Sequence, residues 1–177
     1  MTGPDLDDIA KLGLLAGTMG AGSRIYHVGF VVPDLDAAID DVGEGLGVTF
    51  TEPMTLPYQT LHTPDGPRDV SLRLTYSARP AHIELIANAP GSLWDFADQR
   101  RGHHLGVWAD DVDAEADRLD ARGWRRLWWA TNSDGRLAFS YHDTPYGFYI
   151  ELVGTTAKAF YPAWFGAADP DVLPAAP

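Results

Sequence analysis

Hydrophobic and polar positions follow the same pattern twice along the chain. The stretch "YHVGFVVPDLDAAID" (26–40) is matched by "HHLGVWADDVDAEAD" (103–117), with His, Gly and Asp at corresponding places. After each apolar run, hydrophobic residues recur at helical spacing, and a glycine follows in "GLGV" and "ARGW". Each copy therefore predicts a strand followed by a helix.

The remainder of each copy predicts three more strands. The segments are short, rich in β-branched or aromatic residues, and bounded by Pro, Gly or Asp: "VTFTEPMTL", "RDVSLRLTYS" and "AHIELIA", then "RRLWWATN", "RLAFSYHD" and "FYIELVG". The expected fold is α+β, with two βαβββ modules at 25–90 and 102–154 joined by a linker at 91–101. An N-terminal extension (1–24) and a C-terminal tail (155–177) flank them.

The repeat pairs residues that carry chemistry. His27 corresponds to His104, and Glu84 in "HIEL" corresponds to Glu151 in "YIEL". Side chains alternate along a strand, so His103 and His104 face opposite sides, and only the repeated His104 is expected to face a shared pocket. His103 takes the place of Tyr26 and is expected to face away from that pocket.

Two imidazoles and two carboxylates meeting near one axis would form a site for a divalent metal. A glutamate inside an apolar strand is costly to bury without a partner, and its recurrence at the equivalent place favours a cation between the copies. Imidazole nitrogen and carboxylate oxygen suit Zn, Ni, Co, Mn or Fe(II). We expect one such ion per chain, and the alternative is a pocket whose polar residues bind an organic ligand without metal.

The "H-x-G-x-x-x-x-D-x-D-A" openings and the ending "HDTPYGFYIEL" (142–152) resemble the vicinal-oxygen-chelate superfamily of glyoxalases, bleomycin-resistance proteins and dioxygenases. The resemblance covers about residues 25–154. It implies paired βαβββ modules that curl into an open barrel around one metal ion, with ligands at His27, Glu84, His104 and Glu151. The double histidine in "GHHLGVW" is most similar to methylmalonyl-CoA epimerase. Glu84 stands where the epimerase pattern has glutamine, and the ligand set is more similar to glyoxalase I.

The resemblance implies an enzyme that acts on a small carbonyl or vicinal-oxygen compound. The ion would chelate two substrate oxygens and stabilise an enolate-like intermediate, while Glu84 or Glu151 moves the proton. Isomerase, epimerase or lyase chemistry follows from this arrangement. Two alternatives remain, an Fe(II)-dependent dioxygenase and a metal-free binding or antibiotic-resistance protein.

Three further residues are candidates for the substrate pocket. Trp108 lies on the same strand face as His104 and is a candidate aromatic wall, although core packing explains it equally well. His82 shares a face with Glu84, and His142 precedes the tight turn "DTPYG". Structural roles are the alternative for both histidines.

Composition excludes several classes of function. The chain has 177 residues, a formal charge of −12 and no cysteine, which excludes disulfides and thiolate sites and argues against nucleic-acid or anionic-membrane partners. No apolar run reaches membrane-spanning length, and acidic residues near the start do not suit a signal peptide, so we expect a cytoplasmic protein. Aromatics in "RRLWW" and "AFYPAWFG" are candidates for a lid or for the contact of an expected homodimer.

Overall fold

The computed structural model describes residues 25–79, 82–98, 102–160, 162 and 164, without the side chains of 57–59. The predicted N-terminal extension and most of the predicted C-terminal tail lie outside these residues. Within them, no helix is long and apolar enough to cross a membrane.

Each module consists of one helix and four strands, in the predicted order. The elements of the first are β1 (Ile25–Val32), α1 (Leu35–Leu46), β2 (Met54–Thr63), β3 (Gly66–Tyr76) and β4 (His82–Ala87). Those of the second are β5 (His104–Ala109), α2 (Val112–Ala121), β6 (Arg126–Thr131), β7 (Leu137–Asp143) and β8 (Tyr149–Gly154), followed by a 3-10 helix (Thr155–Phe160). The α+β class with two βαβββ modules is confirmed.

Both helices begin at the first aspartate of the repeated "D-x-D-A" motif. The carboxylate of Asp34 accepts a hydrogen bond from the backbone N–H of Ala37 at 3.1 Å, and Asp111 accepts the equivalent bond from Ala114 at the same distance. These carboxylates satisfy N–H groups that have no partner in the first turn. The repeated aspartate therefore has a structural role in each module.

The eight strands form a ring in the order β1-β4-β3-β2-β6-β7-β8-β5. Within each module the first strand pairs in parallel with the last, and the other pairs are antiparallel. The modules meet at β1 and β5, and again at β2 and β6 through the register pair His62 and Trp129. This second contact closes the barrel, which the resemblance had led us to expect as open.

Hydrophobic side chains fill two regions. The larger cluster occupies the barrel interior and includes Trp94, which comes from the segment between the modules and is buried. The smaller cluster packs α2 against the outer side of the second module through Ala116, Leu119 and Leu152. The segment between the modules thus contributes to the core as well as connecting them.

Candidate metal centre

Four residues from four neighbouring strands form a row across the barrel wall, and the row occurs twice. In the first, register pairs connect Tyr76 to Glu84, Glu84 to Gly29 and Gly29 to His104. In the second, they connect Tyr141 to Glu151, Glu151 to Gly106 and Gly106 to His27. Each row, which we call a Tyr-Glu-Gly-His row, takes three residues from one module and its histidine from the other.

The glycine of each row provides the space for the histidine beside it. A Cβ atom at Gly29 would lie 2.0 Å from Cε1 of His104, and one at Gly106 would lie 2.1 Å from Cε1 of His27. Both distances are far below contact distance, so each imidazole packs over the glycine of the opposite module. The spacing of the "H-x-G" motif follows from this reciprocal packing.

The two imidazoles point towards each other. The Nε2 atoms of His27 and His104 are 2.9 Å apart, and both rings are buried. A carboxylate oxygen of Glu84 lies 3.4 Å from Nε2 of His27 and 3.0 Å from Nε2 of His104. The corresponding distances from Glu151 are 3.4 and 3.7 Å. The structure therefore brings together all four residues that the sequence analysis proposed as ligands.

Nitrogen and oxygen atoms at the centre of the site could serve as ligands of a cation. Nδ1 of His104 is 2.8 Å from the carbonyl oxygen of Gly102, which can only accept, so Nδ1 carries a proton and Nε2 is left to face the other groups of the site. Burial alone would lower the pKa of His104, but Glu84 and Glu151 raise it, so two negative groups favour a positive charge at this place. Oε2 of Glu84 is buried and forms no hydrogen bond with the described residues, although Nε2 of His104 is nearby. Buried atoms of this kind need a positive partner.

The spacing of the donors also fits a metal ion. Two nitrogens each about 2.1 Å from one ion, at roughly a right angle, would lie about 3 Å apart, which agrees with the observed 2.9 Å. His27, Glu84 and His104 form the tightest group, with one ligand atom of each within 4.8 Å of the others. Glu151 completes the set from the other side, and its side chain is more exposed than that of Glu84, 14% against 4%.

Burial and the histidines act on the two carboxyl groups with different results. Burial alone would raise the pKa of Glu84, but the adjacent His27 and His104 lower that pKa well below its ordinary value. For Glu151, burial raises the pKa above its ordinary value despite the opposite effect of His104 and His27. Glu84 thus holds its negative charge more firmly than Glu151.

The tyrosines of the two rows are functional candidates that the sequence analysis missed. Burial, and then the nearby carboxylates of Glu84 and Glu151, raise the pKa of both Tyr76 and Tyr141 far above the ordinary value, so both hydroxyls keep their protons. The Tyr141 hydroxyl lies 3.5 Å from Nε2 of His104. A tyrosine precedes each repeated glutamate by eight or ten residues, and this signal was available in the sequence.

A cavity of about 220 Å³ extends from the glutamates into the barrel. Glu84, Glu151, Tyr76 and Tyr141 line its polar end together with Tyr26. The other lining side chains come from β2, β3, β4, β7, β8, the segment between the modules and the chain after β8, and they are apolar or aromatic. The cavity therefore has one polar and charged end.

Trp108 does not line this cavity. Its ring is buried inside the barrel and stacks on Tyr26 at 3.9 Å between centroids, so it supports a lining residue from behind. Tyr26 lines the cavity, although the place it shares with His103 in the repeat was expected to face away from the pocket. A register shift between Ile25 and His27 brings its ring to the cavity beside His27. His103, at the equivalent place, lies instead beside the exposed ring of Phe30.

His82 and His142 are also held away from the cavity. Nδ1 of His82 is 2.7 Å from the carbonyl oxygen of Ser77, and burial lowers the pKa of His82 to about 4. His142 lies between the carbonyl oxygen of Trp124 and the hydroxyl of Ser140, both at 3.0 Å, and burial lowers its pKa as well. Both rings are neutral and fix neighbouring backbone, so the structure places them in supporting positions.

Comparison with known proteins identifies similar sequences. The profile of the glyoxalase/bleomycin resistance protein/dioxygenase superfamily matches residues 26–140. A 2-epi-5-epi-valiolone epimerase from an Actinomyces species is 32% identical over 154 residues, which covers 76% of this chain and 81% of the relative.

Among solved structures, methylmalonyl-CoA epimerase from Mycobacterium tuberculosis has a similar fold. The TM-score is 0.50 at 24% sequence identity, and the match covers 80% of this chain and 94% of the other. Two βαβββ modules arranged around a shared interior are thus a fold that an enzyme of known structure also uses.

Proposed function

Because the chain belongs to the glyoxalase/bleomycin resistance protein/dioxygenase superfamily, we propose that it is a metal-dependent isomerase that epimerises a carbon next to a carbonyl group. The relative that is 32% identical is an epimerase, which supports isomerase chemistry over lyase chemistry. The family membership agrees with the resemblance seen in the sequence.

One observation carries the proposal. Two imidazole Nε2 atoms and two carboxylates, one of each from either module, converge at the only charged end of the described cavity. We propose His27, Glu84, His104 and Glu151 as the ligands of one divalent ion. Such an ion would supply Lewis-acid stabilisation of the negative charge that develops on the substrate oxygen when the adjacent C–H bond is broken.

We assign the proton transfer to Glu151. Its side chain is more accessible than that of Glu84, 14% against 4% exposed, so it is the carboxylate better placed to reach a substrate in the cavity. Glu84 is buried and firmly ionised, which suits an anchoring ligand. The hydroxyls of Tyr76 and Tyr141 keep their protons and can donate hydrogen bonds to a substrate oxygen at this end of the cavity.

The proposal is tested in two steps on protein purified without a histidine tag. Elemental analysis should find close to one divalent ion per chain. Incubation with 2-hydroxycyclohexanone in D₂O should then give deuterium at the carbon next to the carbonyl, detected by NMR. Glu151→Gln should reduce that exchange by about 100-fold or more while the protein keeps its fold. Absence of metal after reconstitution, or exchange that does not depend on Glu151, would contradict the proposal.

A second candidate is an Fe(II)-dependent dioxygenase. The tightest group in the site contains two histidines and one carboxylate, His27, His104 and Glu84, which is the ligand set of non-haem Fe(II) oxygenases. Oxygen consumption by the Fe(II)-loaded protein with catechol would favour it. Coordination by Glu151 counts against it, because a fourth protein ligand occupies a position that oxygen needs.

A further inference from the structure

We propose that the substrate is an uncharged carbonyl compound with an apolar ring or branched chain, held with its oxygens at the metal end and its hydrocarbon part in the barrel. This inference rests on the proposed function, since it names the substrate class of the same site. It predicts that polyhydroxylated compounds of the same size bind less tightly than those with an apolar ring.

The cavity wall beyond the metal end is hydrocarbon. Aliphatic side chains of β2 and β3 form one part of it, including Leu56, Leu61, Val70 and Leu72. Aromatic rings of Trp94, Phe139 and Trp164 form another part. Among the described lining side chains, hydrogen bonds can be formed by the three tyrosines, the two glutamates and the indole N–H groups of Trp94 and Trp164, of which that of Trp94 is buried without a partner. A substrate with several hydroxyl groups would exchange its bonds to water for few bonds to this wall, at a cost for each buried group left without a partner.

Charge leads to the same conclusion. The described lining contains two carboxylates and no lysine or arginine. A divalent ion would neutralise the two carboxylates and leave no surplus positive charge for a phosphate or carboxylate of the substrate. A buried anion without a partner is strongly disfavoured, so an uncharged substrate fits best.

The size of the cavity limits the hydrocarbon part. Its volume of about 220 Å³ exceeds the roughly 150 Å³ of an apolar protein cavity that binds benzene. The space therefore accommodates one six-membered ring together with the carbonyl group and its neighbouring oxygen. A larger body would have to displace the rings of Phe160 or Trp164, which line the cavity from the chain after β8.

The inference is tested by isothermal titration calorimetry of the metal-loaded protein with hydroxamates, which share one metal-chelating group. Benzohydroxamate carries a ring, and threonohydroxamate has the same number of non-hydrogen atoms but hydroxyl groups in place of the ring. We expect benzohydroxamate to bind at least about tenfold more tightly, because its ring is transferred from water to a hydrocarbon wall. Succinohydroxamate, which adds a carboxylate, should bind more weakly than acetohydroxamate.

Matched variants connect the preference to the cavity wall. Val70→Thr adds a hydroxyl to a lining residue of β3 and should reduce the preference for benzohydroxamate severalfold. Val107→Thr makes the same change on β5 beside the α2 cluster, away from the cavity, and should leave the preference unchanged. Equal or tighter binding of threonohydroxamate by the unsubstituted protein would overturn the inference.

Failure of the proposed function would look different. If acetohydroxamate bound no better with metal than without it, the metal-dependent activity would be wrong while the cavity preference could still be measured. For that measurement we use the parent amides, benzamide and threonamide. They carry the same phenyl ring and the same hydroxylated chain as the two hydroxamates, but lack the hydroxyl group that chelates metal. Tryptophan fluorescence should report tighter binding of benzamide, since Trp94 and Trp164 line the cavity. No difference between the amides would overturn the inference independently of the metal.

Discussion

At the scale of single residues, neighbouring histidines have different surroundings. His104 directs Nε2 at His27 and is fixed by its Nδ1 bond to Gly102, whereas His103 lies beside Phe30. We expect His104→Ala to lose most bound metal, because an incomplete ligand set binds weakly. His103→Ala should keep the metal and lose roughly 1 kcal/mol of stability at most.

Metal content and thermal unfolding of these two variants, with and without chelator, check this prediction. Metal loss in His103→Ala but not in His104→Ala would mean that the strand faces are assigned the wrong way round.

The glycines of the rows give a second residue-scale prediction. In Gly106→Ala the new methyl group would lie 2.1 Å from Cε1 of His27, so the imidazole must move away from the centre. We expect metal affinity to fall by about tenfold or more, as for loss of a group that orients a ligand. Titration with Zn against a competing chelator measures the change.

Gly45→Ala is the matched control for this change. Gly45 lies in α1 with open space at its Cβ position, so alanine should leave metal affinity unchanged and stabilise the helix by up to about 1 kcal/mol. Unchanged metal affinity in Gly106→Ala would show that His27 tolerates displacement and does not coordinate the ion.

At the scale of secondary structure, the repeated aspartates set where both helices begin. Asp34→Ala and Asp111→Ala should each lower the free energy of unfolding by about 1 kcal/mol through loss of the cap. Asp111 also pairs with Arg136 at 2.7 Å, but that pair is exposed and should add little. Urea denaturation of both variants checks the prediction, and Asp40→Ala, at an exposed position later in α1, serves as a control that leaves the cap intact. A loss in either cap variant no larger than in the control would contradict the capping role.

The elements were predictable because their signals are local. The strand and helix periods of both copies, and the pairing of His27 with His104 and Glu84 with Glu151, could be read from the sequence. The cavity position of Tyr26 could not, because it depends on a register shift before His27 that no local pattern encodes. The tyrosines of the rows precede the glutamates at unequal spacings of eight and ten residues, which made that signal weak, and their contact with the glutamates follows only from the pairing of β3 with β4 and of β7 with β8.

At the scale of the whole molecule, neither the closure of the barrel nor its apolar interior could be predicted from the sequence. Closure comes from the contact between β2 and β6, for which the described residues show the register pair His62 and Trp129, and these strands are far apart along the chain. The cavity wall includes Trp94, from the segment between the modules that was expected to be a linker, and Trp164, from the segment "AFYPAWFG" whose aromatics were candidates for a lid or a dimer contact. Non-local contacts of this kind follow only from the assembled fold.

The stability of the whole molecule should depend on pH through His142. This buried ring is neutral in the folded protein, and burial lowers its pKa below the value of about 6.5 for an unfolded chain. Protonation therefore favours the unfolded chain, so the stabilisation is complete above about pH 6.5 and decreases as the pH falls towards the folded pKa.

His142→Asn isolates this contribution, since an amide can still donate to the carbonyl oxygen of Trp124 but does not titrate. The free energy of unfolding should fall more steeply between pH 7 and pH 5 in the unsubstituted protein than in the variant. Parallel pH profiles, measured by urea denaturation, would rule out the assigned role of His142.

The reciprocal packing of histidine over glycine has a consequence for how the two halves of the chain can diverge. A larger residue at Gly29 would displace the imidazole of His104, and one at Gly106 would displace that of His27. A substitution in either module therefore acts on the histidine of the other module. Damage of this kind is redundant: Gly106→Ala combined with His27→Ala should impair the site little more than His27→Ala alone. The effects of substitutions in the two copies are therefore not additive. Each glycine must stay small as long as the histidine of the other copy packs over it, so the "H-x-G" sequences of the two copies constrain each other.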